Sequence, residues 1–329
     1  MPRRIDWETQ IGRRLKLRDL HVFFTAVQQG SMAKAARQLG VSQPAVSEII
    51  ADLENALGVR LLDRHPLGIT PTTYGEALLK RSMAVFDELR QGIRDIEFLA
   101  DPMAGEVKFG CTEAMSAVLS PVMERFIRQY PRVLLRTFLV ARPFDLEGLR
   151  GRKLDFTLGH IVQTPSDRVI DDLAIEALFE DRLVVAVGTS SRWASRRAVD
   201  LAELVNEPWI LAEAPESWNY SVVADAFSER GLQMPKINVM TFSVHLRMGM
   251  LASGQFITTF PNAILQLQPN RRSIKILPVD LPDRPWPVAI VTLKNRMLNP
   301  VVARFIAHIR DFTHPMRRTK PAAHLQRKR

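Results

Sequence analysis

Cysteine is almost absent: Cys111 is the only one in 329 residues. A lone thiol excludes an intrachain disulfide and any cysteine-built zinc cluster. The seven histidines are scattered without paired spacing, so no metal site is expected. Also missing are a phosphate loop, a dinucleotide fingerprint, a Gly-x-Ser-x-Gly elbow and a paired-histidine motif. With them goes the sequence support for an enzyme, and no cofactor is expected. No apolar run approaches the length needed to span a bilayer, and the first twenty residues carry Arg3, Arg4, Arg13 and Arg14 without an apolar h-region. The expectation is a cytoplasmic protein with no membrane partner.

Basic residues exceed acidic ones, 45 against 35, for a net charge of +10. The excess sits at the ends. Residues 1–18 hold +4 and residues 311–329 hold +5, which leaves about +1 for everything between. The body is therefore not a basic surface by count, and any positive face must come from arrangement. Arg317, Arg318, Lys320, Arg327, Lys328 and Arg329 follow no apolar period, which reads as a solubilising tail or a nonspecific nucleic-acid contact. With 46% apolar residues, the chain is long enough for two or three folding units.

The most informative segment is Ser31 to Ile49. Ser31 can cap a first helix whose inner face is Ala35, Ala36 and Leu39, and Gly40 can supply its left-handed end. Ser42 then caps a second helix, Pro44 suits its first turn, and Val46, Ile49 and Leu53 recur at the spacing of a buried stripe. Ser42, Gln43 and Ser47 cluster near the amino end of that helix, where a recognition helix meets base edges and phosphate. Helical hairpins of enzymes share the Ala-rich first half. The chain next closes the helix at Gly58, enters an apolar strand, and continues through His65–Gly75 as a polar, Pro- and Gly-punctuated wing.

Residues 17–75 resemble the winged helix-turn-helix of the LysR-type transcriptional regulators, through Ser-Gln-Pro-Ala-Val-Ser, Leu-Glu-x-x-Leu-Gly and the Thr-x-x-Gly after the wing. The wider likeness covers nearly the whole chain. It implies double-stranded DNA contact by Ser42, Gln43, Pro44, Ser47, Arg64 and Thr72 on a partly palindromic operator, with RNA polymerase as a partner at promoters. Two positions depart from the pattern. Leu62 stands where Phe is usual, which changes only how a core site is filled. Glu48 stands where Arg or Lys is common; a carboxylate there cannot bind phosphate but could accept from cytosine N4, or simply lie on a solvated face.

From Gly75 to about Ala100 the sequence reads as one long helix. Leu79, Phe86 and Ile93 fall seven apart, with Leu89 and Ile96 at intervening apolar positions and Ser82 as the break. The stripe predicts pairing with the same helix of a second subunit, the alternative being a helix packed on its own domain. The resemblance implies a homo-oligomer, a dimer or a tetramer made of two dimers.

From Glu106 onward strands alternate with helices, which argues for open α/β sheets. The fold class is thus α/β with an all-α-dominated winged helix-turn-helix amino-terminal domain. The effector domain, of two α/β lobes, resembles periplasmic binding proteins. The divisions are a basic arm (1–16), the winged helix-turn-helix (17–74), a linker helix (75–101), an effector domain (102–315) and a basic tail (316–329). Lobe 1 takes about 102–181 and 283–315, and lobe 2 about 182–282.

Such lobes hold ligands at strand ends and helix amino termini. The candidates there are Thr112 and Glu113, Arg142, His160, Ser217 and Trp218, and Ser243. Thr112 and Ser243 are good N-caps in any case, Trp218 could pack the lobes, and His160 could be a surface or capping residue. Arg142 could fork onto a carboxylate or pair with Glu113. A Glu113 facing the cleft would favour a ligand with hydroxyl or amine donors over a dianion. Cys111 lies at the same junction, but with no resolving thiol it reads as a small cleft-lining residue.

The leading function is a ligand-responsive DNA-binding regulator whose small-molecule effector is an organic acid or a sugar. A constitutive or architectural DNA-binding protein, whose carboxy-terminal domain serves only assembly, is the second reading.

Overall fold

The computed structural model describes residues 15–66, 68–161, 170–212, 218–267, 273–284 and 286–318. Ser217, most of the amino-terminal arm and the tail after residue 318 lie outside the described residues. The chain forms two compact units, Met1–Ile93 and Arg94–Arg329.

In the first unit, α1 (Leu17–Gln29), α2 (Met32–Leu39) and α3 (Gln43–Leu57) follow one another through short turns. The turns are written in the caps. Ser31 Oγ accepts from the Lys34 N–H at 3.4 Å, Gly40 ends α2 at φ 67°, and Ser42 Oγ accepts from the Ala45 N–H at 3.3 Å. Phe23, Ala26, Ala35, Val46, Ile50 and Leu53 are buried between the helices. The stripe of α3 is thus Val46, Ile50 and Leu53. Ile49, expected on it, is only half-buried, because at about 100° per residue position 50 continues the line from 46 to 53.

The wing pairs β1 (Leu62–His65) with β2 (Gly68–Pro71) in antiparallel register. Its base is tied to α3, where Glu54 Oε1 accepts from the N–H groups of Leu61 at 2.7 Å and Leu62 at 3.1 Å. Its far end runs into α4 (Thr73–Ala100). Thr72 Oγ1 donates to the Arg60 carbonyl at 2.8 Å and accepts from the Gly75 N–H at 3.1 Å. A Cβ at Gly75 would overlap the Leu61 carbonyl oxygen. Thr-x-x-Gly is therefore the joint between wing and helix.

The second unit contains, in chain order, β3 (Ala104–Cys111), α5 (Glu113–Gln129), β4 (Arg132–Leu139), α6 (Leu146–Arg150), β5 (Phe156–His160), β6 (Leu173–Asp181) and β7 (Leu183–Gly188). There follow β8 (Trp209–Leu211), α7 (Trp218–Ser228), β9 (Ile237–Met240), α8 (Val244–Leu251), β10 (Ile257–Pro261) and α9 (Asn262–Leu267). The unit ends with β11 (Ile274–Ile276), β12 (Trp286–Leu293) and α10 (Pro300–Thr313).

These strands make two five-stranded sheets, ordered β4-β3-β5-β12-β6 and β11-β7-β10-β8-β9. In the first, β3, β4 and β5 are parallel and β12 is antiparallel to both its neighbours. The chain leaves this sheet between β6 and β7 and returns to it at β12, so two segments cross between lobes. They meet where Trp286 registers on Asp181. The first lobe's core stacks Phe109 on Phe156 at 5.1 Å and sets Phe126 edge-on to Phe305 of α10 at 4.8 Å. At the opposite end of β5, buried Asp155 accepts from the Lys108 N–H at 2.8 Å and from Arg296 at 3.3 Å.

Several elements differ from the expectation. Helix α5 starts at Glu113, directly after its N-cap Thr112. The nine-residue edge strand β6 was not foreseen, since Leu-Ala-Ile-Glu-Ala-Leu-Phe-Glu lacks the period-two alternation of a half-buried strand. Short α9 and β11 also went unread.

The Gly75 joint can be tested against an internal control. Gly75→Ala should lose about 1–3 kcal/mol of stability in a denaturant titration because its Cβ has no room. Gly92→Ala, on the same helix with open space around it, should be neutral or stabilising by about 0.5–1 kcal/mol. Equal effects at the two positions would refute the close-approach account.

Candidate functional site

The unit Met1–Ile93 presents a polar surface at the start of α3. Ser42, Gln43, Pro44 and Glu48 are exposed and Ser47 is half-buried, while Arg64 is exposed on β1 opposite Ile69. Free N–H groups and short polar side chains at a helix start are the elements that meet phosphates and base edges. Thr72 belongs to a different category. Its hydroxyl proton is used on the Arg60 carbonyl, which leaves no donor for a phosphate.

The apolar stripe of α4 divides in two. Leu79 packs against the helical core, and Phe86 packs against His21 at 5.7 Å and Phe24 at 6.1 Å. The first half of the expected seam is therefore used inside its own unit. Leu89, Ile93 and Ile96 are exposed, the last by 68%, and Leu99 by 79%.

In the unit Arg94–Arg329, a cleft of about 730 Å³ opens between the two sheets. Thr112, Glu113, Arg142, His160 and Trp218 all line it. Thr112 is the N-cap of the 17-residue helix α5, yet its hydroxyl makes no capping bond and is a buried oxygen without a partner. Glu113 reaches across the cleft and accepts from the Val244 N–H, the first of α8, at 3.3 Å. Its partner is thus a helix terminus rather than Arg142, which stays exposed.

His160 is neither a surface nor a capping residue. It is buried, with Nε2 3.0 Å from Asp181 Oδ2, and its ring stacks on Trp286 at 3.9 Å. Trp286 stacks in turn on Trp218 at 4.2 Å. Asp181 Oδ1 accepts from the N–H groups of Arg182 at 2.8 Å and Ala263 at 3.1 Å. Three rings and one carboxylate therefore converge where the chain crosses between lobes.

Two expectations fail here. Ser243 does not line the cleft; its hydroxyl accepts from the Leu246 N–H at 3.2 Å and caps α8. Cys111 points away from the cleft into the first lobe's core, with Sγ 3.4 Å from Thr137 Oγ1. Burial pushes its thiol pKa up, the reverse of what a reactive cysteine needs.

Arg247 of α8 also lines the cleft, and it is only 3% exposed. It donates to the Thr259 carbonyl at 2.6 Å and to the Phe242 carbonyl at 3.5 Å, and its guanidinium lies 4.6 Å from the Phe260 ring centroid. Among the described residues, nine buried side-chain polar atoms lack a hydrogen-bond partner. Four of them, Thr112 Oγ1, Asn219 Oδ1, Arg247 Nε and Trp286 Nε1, belong to residues lining this one cleft. Unpaired buried polar groups are costly, so their concentration marks a place built for a polar occupant. No group of three or more metal-ligating side chains occurs among the described residues, nor does any helix long and apolar enough to cross a membrane.

Residues 17–76 match the family described as bacterial regulatory helix-turn-helix protein, lysR family, and residues 100–313 match the LysR substrate binding domain. The chain belongs to the LysR-type transcriptional regulators. Among curated relatives of this LysR-type regulator, TdcA of Escherichia coli (strain K12) is 30% identical over 247 residues, 75% of this chain and 77% of that protein. GbpR of Azospirillum brasilense is 26% identical over 310 residues, 94% of this chain and 90% of that protein. Of the solved structures, a full-length OxyR variant from Pseudomonas aeruginosa matches with a TM-score of 0.60 at 20% identity, over 91% of this chain and 95% of that one. CbnR matches with a TM-score of 0.51 at 20% identity, over 90% of this chain and all of that one. At such identities the structures speak for the fold alone.

Two cleft residues of this LysR-type regulator were not anticipated. Arg247 had a legible signal, as the one cation in Val-His-Leu-Arg-Met-Gly-Met-Leu. Trp286 had none, because its role depends on the register that sets it beside His160 and Asp181. Asp181→Ala would strand the buried Ala263 N–H, the part-buried Arg182 N–H and His160. It should cost the regulator about 2–4 kcal/mol of stability, measured by chemical denaturation. A loss below about 1 kcal/mol would mean that the crossing is held by something else.

Proposed function

We propose that this LysR-type regulator reads a partly palindromic duplex through Ser42, Gln43, Pro44, Ser47 and Arg64, and that a small organic effector held between the lobes changes that reading. The observation that carries the effector half is the gathering of four partnerless buried polar atoms around one cleft at the end of β3 and the start of α5. In this reading residues 17–74 are the reader, 75–101 the linker helix and 102–315 the effector domain. Thr112, Glu113, Arg142, His160 and Trp218 face the effector, and Ser243 and Thr72 are structural. Leu89, Ile93 and Ile96 form the seam with a second copy, while Leu79 and Phe86 hold the helix to its own unit. The regulator works in the cytoplasm and meets RNA polymerase at its promoters, and no catalysis is assigned to the cleft. An effector acts only through a difference in affinity between two states of the assembly, since equal affinity shifts nothing.

Gln43→Ala should weaken binding to the cognate site by about 1–3 kcal/mol and relax base preference at one position per half-site. Unchanged discrimination in a competition assay against point-mutated sites would refute the reader assignment. The paired replacement Leu89→Glu with Ile96→Glu should reduce the assembly size in multi-angle light scattering and leave only half-site binding. An unaltered mass would remove the seam. DNA binding that ignores every small molecule affecting the protein's melting temperature would overturn the effector half.

A further inference from the structure

Arg247 is a cation placed where a cation is expensive. It is almost wholly removed from solvent, two of its nitrogens hold backbone carbonyls, and Nε is buried without a partner. Among the described residues, no carboxylate lies within ion-pair distance of it. Burial pushes its pKa down to about 10, with Glu113 pulling the other way. At neutral pH it stays charged, so the cleft holds a positive group that, among the described residues, is met only by two carbonyls, the Phe260 ring and Glu113 beyond ion-pair distance.

The rest of the cleft limits what could offset it. Trp218 supplies flat apolar surface, backed by Trp286, which is itself sandwiched between Trp218 and His160. Thr112 Oγ1, Asn219 Oδ1 and Trp286 Nε1 are buried polar atoms still lacking partners. A sugar also stacks on indoles, but its hydroxyls need several acceptors. Among the described lining residues the one carboxylate, Glu113, already accepts from Val244, which leaves Thr112 Oγ1 and Asn219 Oδ1 as the partnerless acceptors, too few for a sugar. The second charge of a dianion would find only Arg142, exposed to solvent, among the described lining residues. Arg284, also lining the cleft, is already ion-paired with Asp225.

We propose that the effector is a planar aromatic monocarboxylate, its carboxylate anchored by Arg247 with Thr112 and its ring laid against Trp218, which Trp286 backs from the other side. The assignment rests on the interlobe site proposed above and narrows it to one ligand class. It makes Arg247 the charge anchor, with Arg142 an exposed accessory at the cleft mouth.

The test is isothermal calorimetry on the full chain with benzoate, 4-hydroxybenzoate, phenylacetate and 1-naphthoate. Benzamide, cyclohexanecarboxylate, succinate and glucose serve as comparators. At least one aromatic acid should bind, and its amide should bind at least tenfold more weakly. Arg247→Gln should weaken that acid by about ten- to a hundredfold, the range for losing a charge-assisted hydrogen bond. If circular dichroism shows that Arg247→Gln has unfolded, Arg247→Lys, which keeps the charge but lacks Nε, should still weaken it at least fivefold. Trp218→Leu should abolish the preference for a flat ring over cyclohexanecarboxylate. Failure of all four aromatic acids, or binding that is equal for acid and amide, overturns the ligand class. Glucose or succinate binding that is lost in Thr112→Val also overturns the class, but leaves the cleft as the site. Binding that ignores the Arg247, Trp218 and Thr112 substitutions together overturns the site as well.

Discussion

The buried carboxylate of Asp181 is the constraint on which the effector unit depends. It sits at the last residue of β6, where the chain leaves one sheet for the other, and it bonds in three directions: to His160 of the first lobe, to the Arg182 N–H in the crossing itself, and to the Ala263 N–H at the start of α9 in the second lobe. A charge taken out of water is tolerated only when each oxygen is engaged, and here both are. That requirement fixes the end of β5 relative to the start of α9, and Trp286, in register with Asp181, inherits its position from the same pairing. The ring stack in the cleft therefore follows from how the crossing is tied.

The reader unit is organised by more local means. Side-chain caps at Ser31 and Ser42 and left-handed glycines at 40 and 58 fix where each helix starts and stops within a few residues, which leaves the buried stripe of α3 little freedom in how it meets α1 and α2. The two units thus show two kinds of control: caps and turns legible over a few residues, and pairings between distant parts of the chain, such as Asp181 with Ala263.

That difference explains what could be read in the sequence. The helix-turn-helix, its caps and the wing depend on near neighbours, and they were legible down to single residues, with Ile49 for Ile50 as a one-position slip on the stripe. Five cleft residues were legible because strand ends and helix starts can be located by pattern, even where their neighbours cannot. Strand β6 was not, since Glu176 and Glu180 interrupt its apolar run and its place at a sheet edge is decided by β12. Trp286 and the burial of Arg247 were out of reach for the same reason. Whether a tryptophan stacks or an arginine is stripped of water is a property of the assembled lobes. The expected seam on α4 is covered by its own unit at Leu79 and Phe86 and exposed from Leu89 on, a division that a heptad pattern cannot show.

The joint at Thr72 and Gly75 has a geometric consequence. Because the Arg60 carbonyl, the Thr72 hydroxyl and the Gly75 backbone are locked together, the wing cannot tilt independently of the first turns of α4. Any contact that fixes the direction of that helix also fixes where Arg64 points. In a symmetric pair the helix would then act as a ruler. The distance between two wings would be a property of the protein rather than of the DNA, and only promoters whose half-sites match it in helical phase could engage both at once.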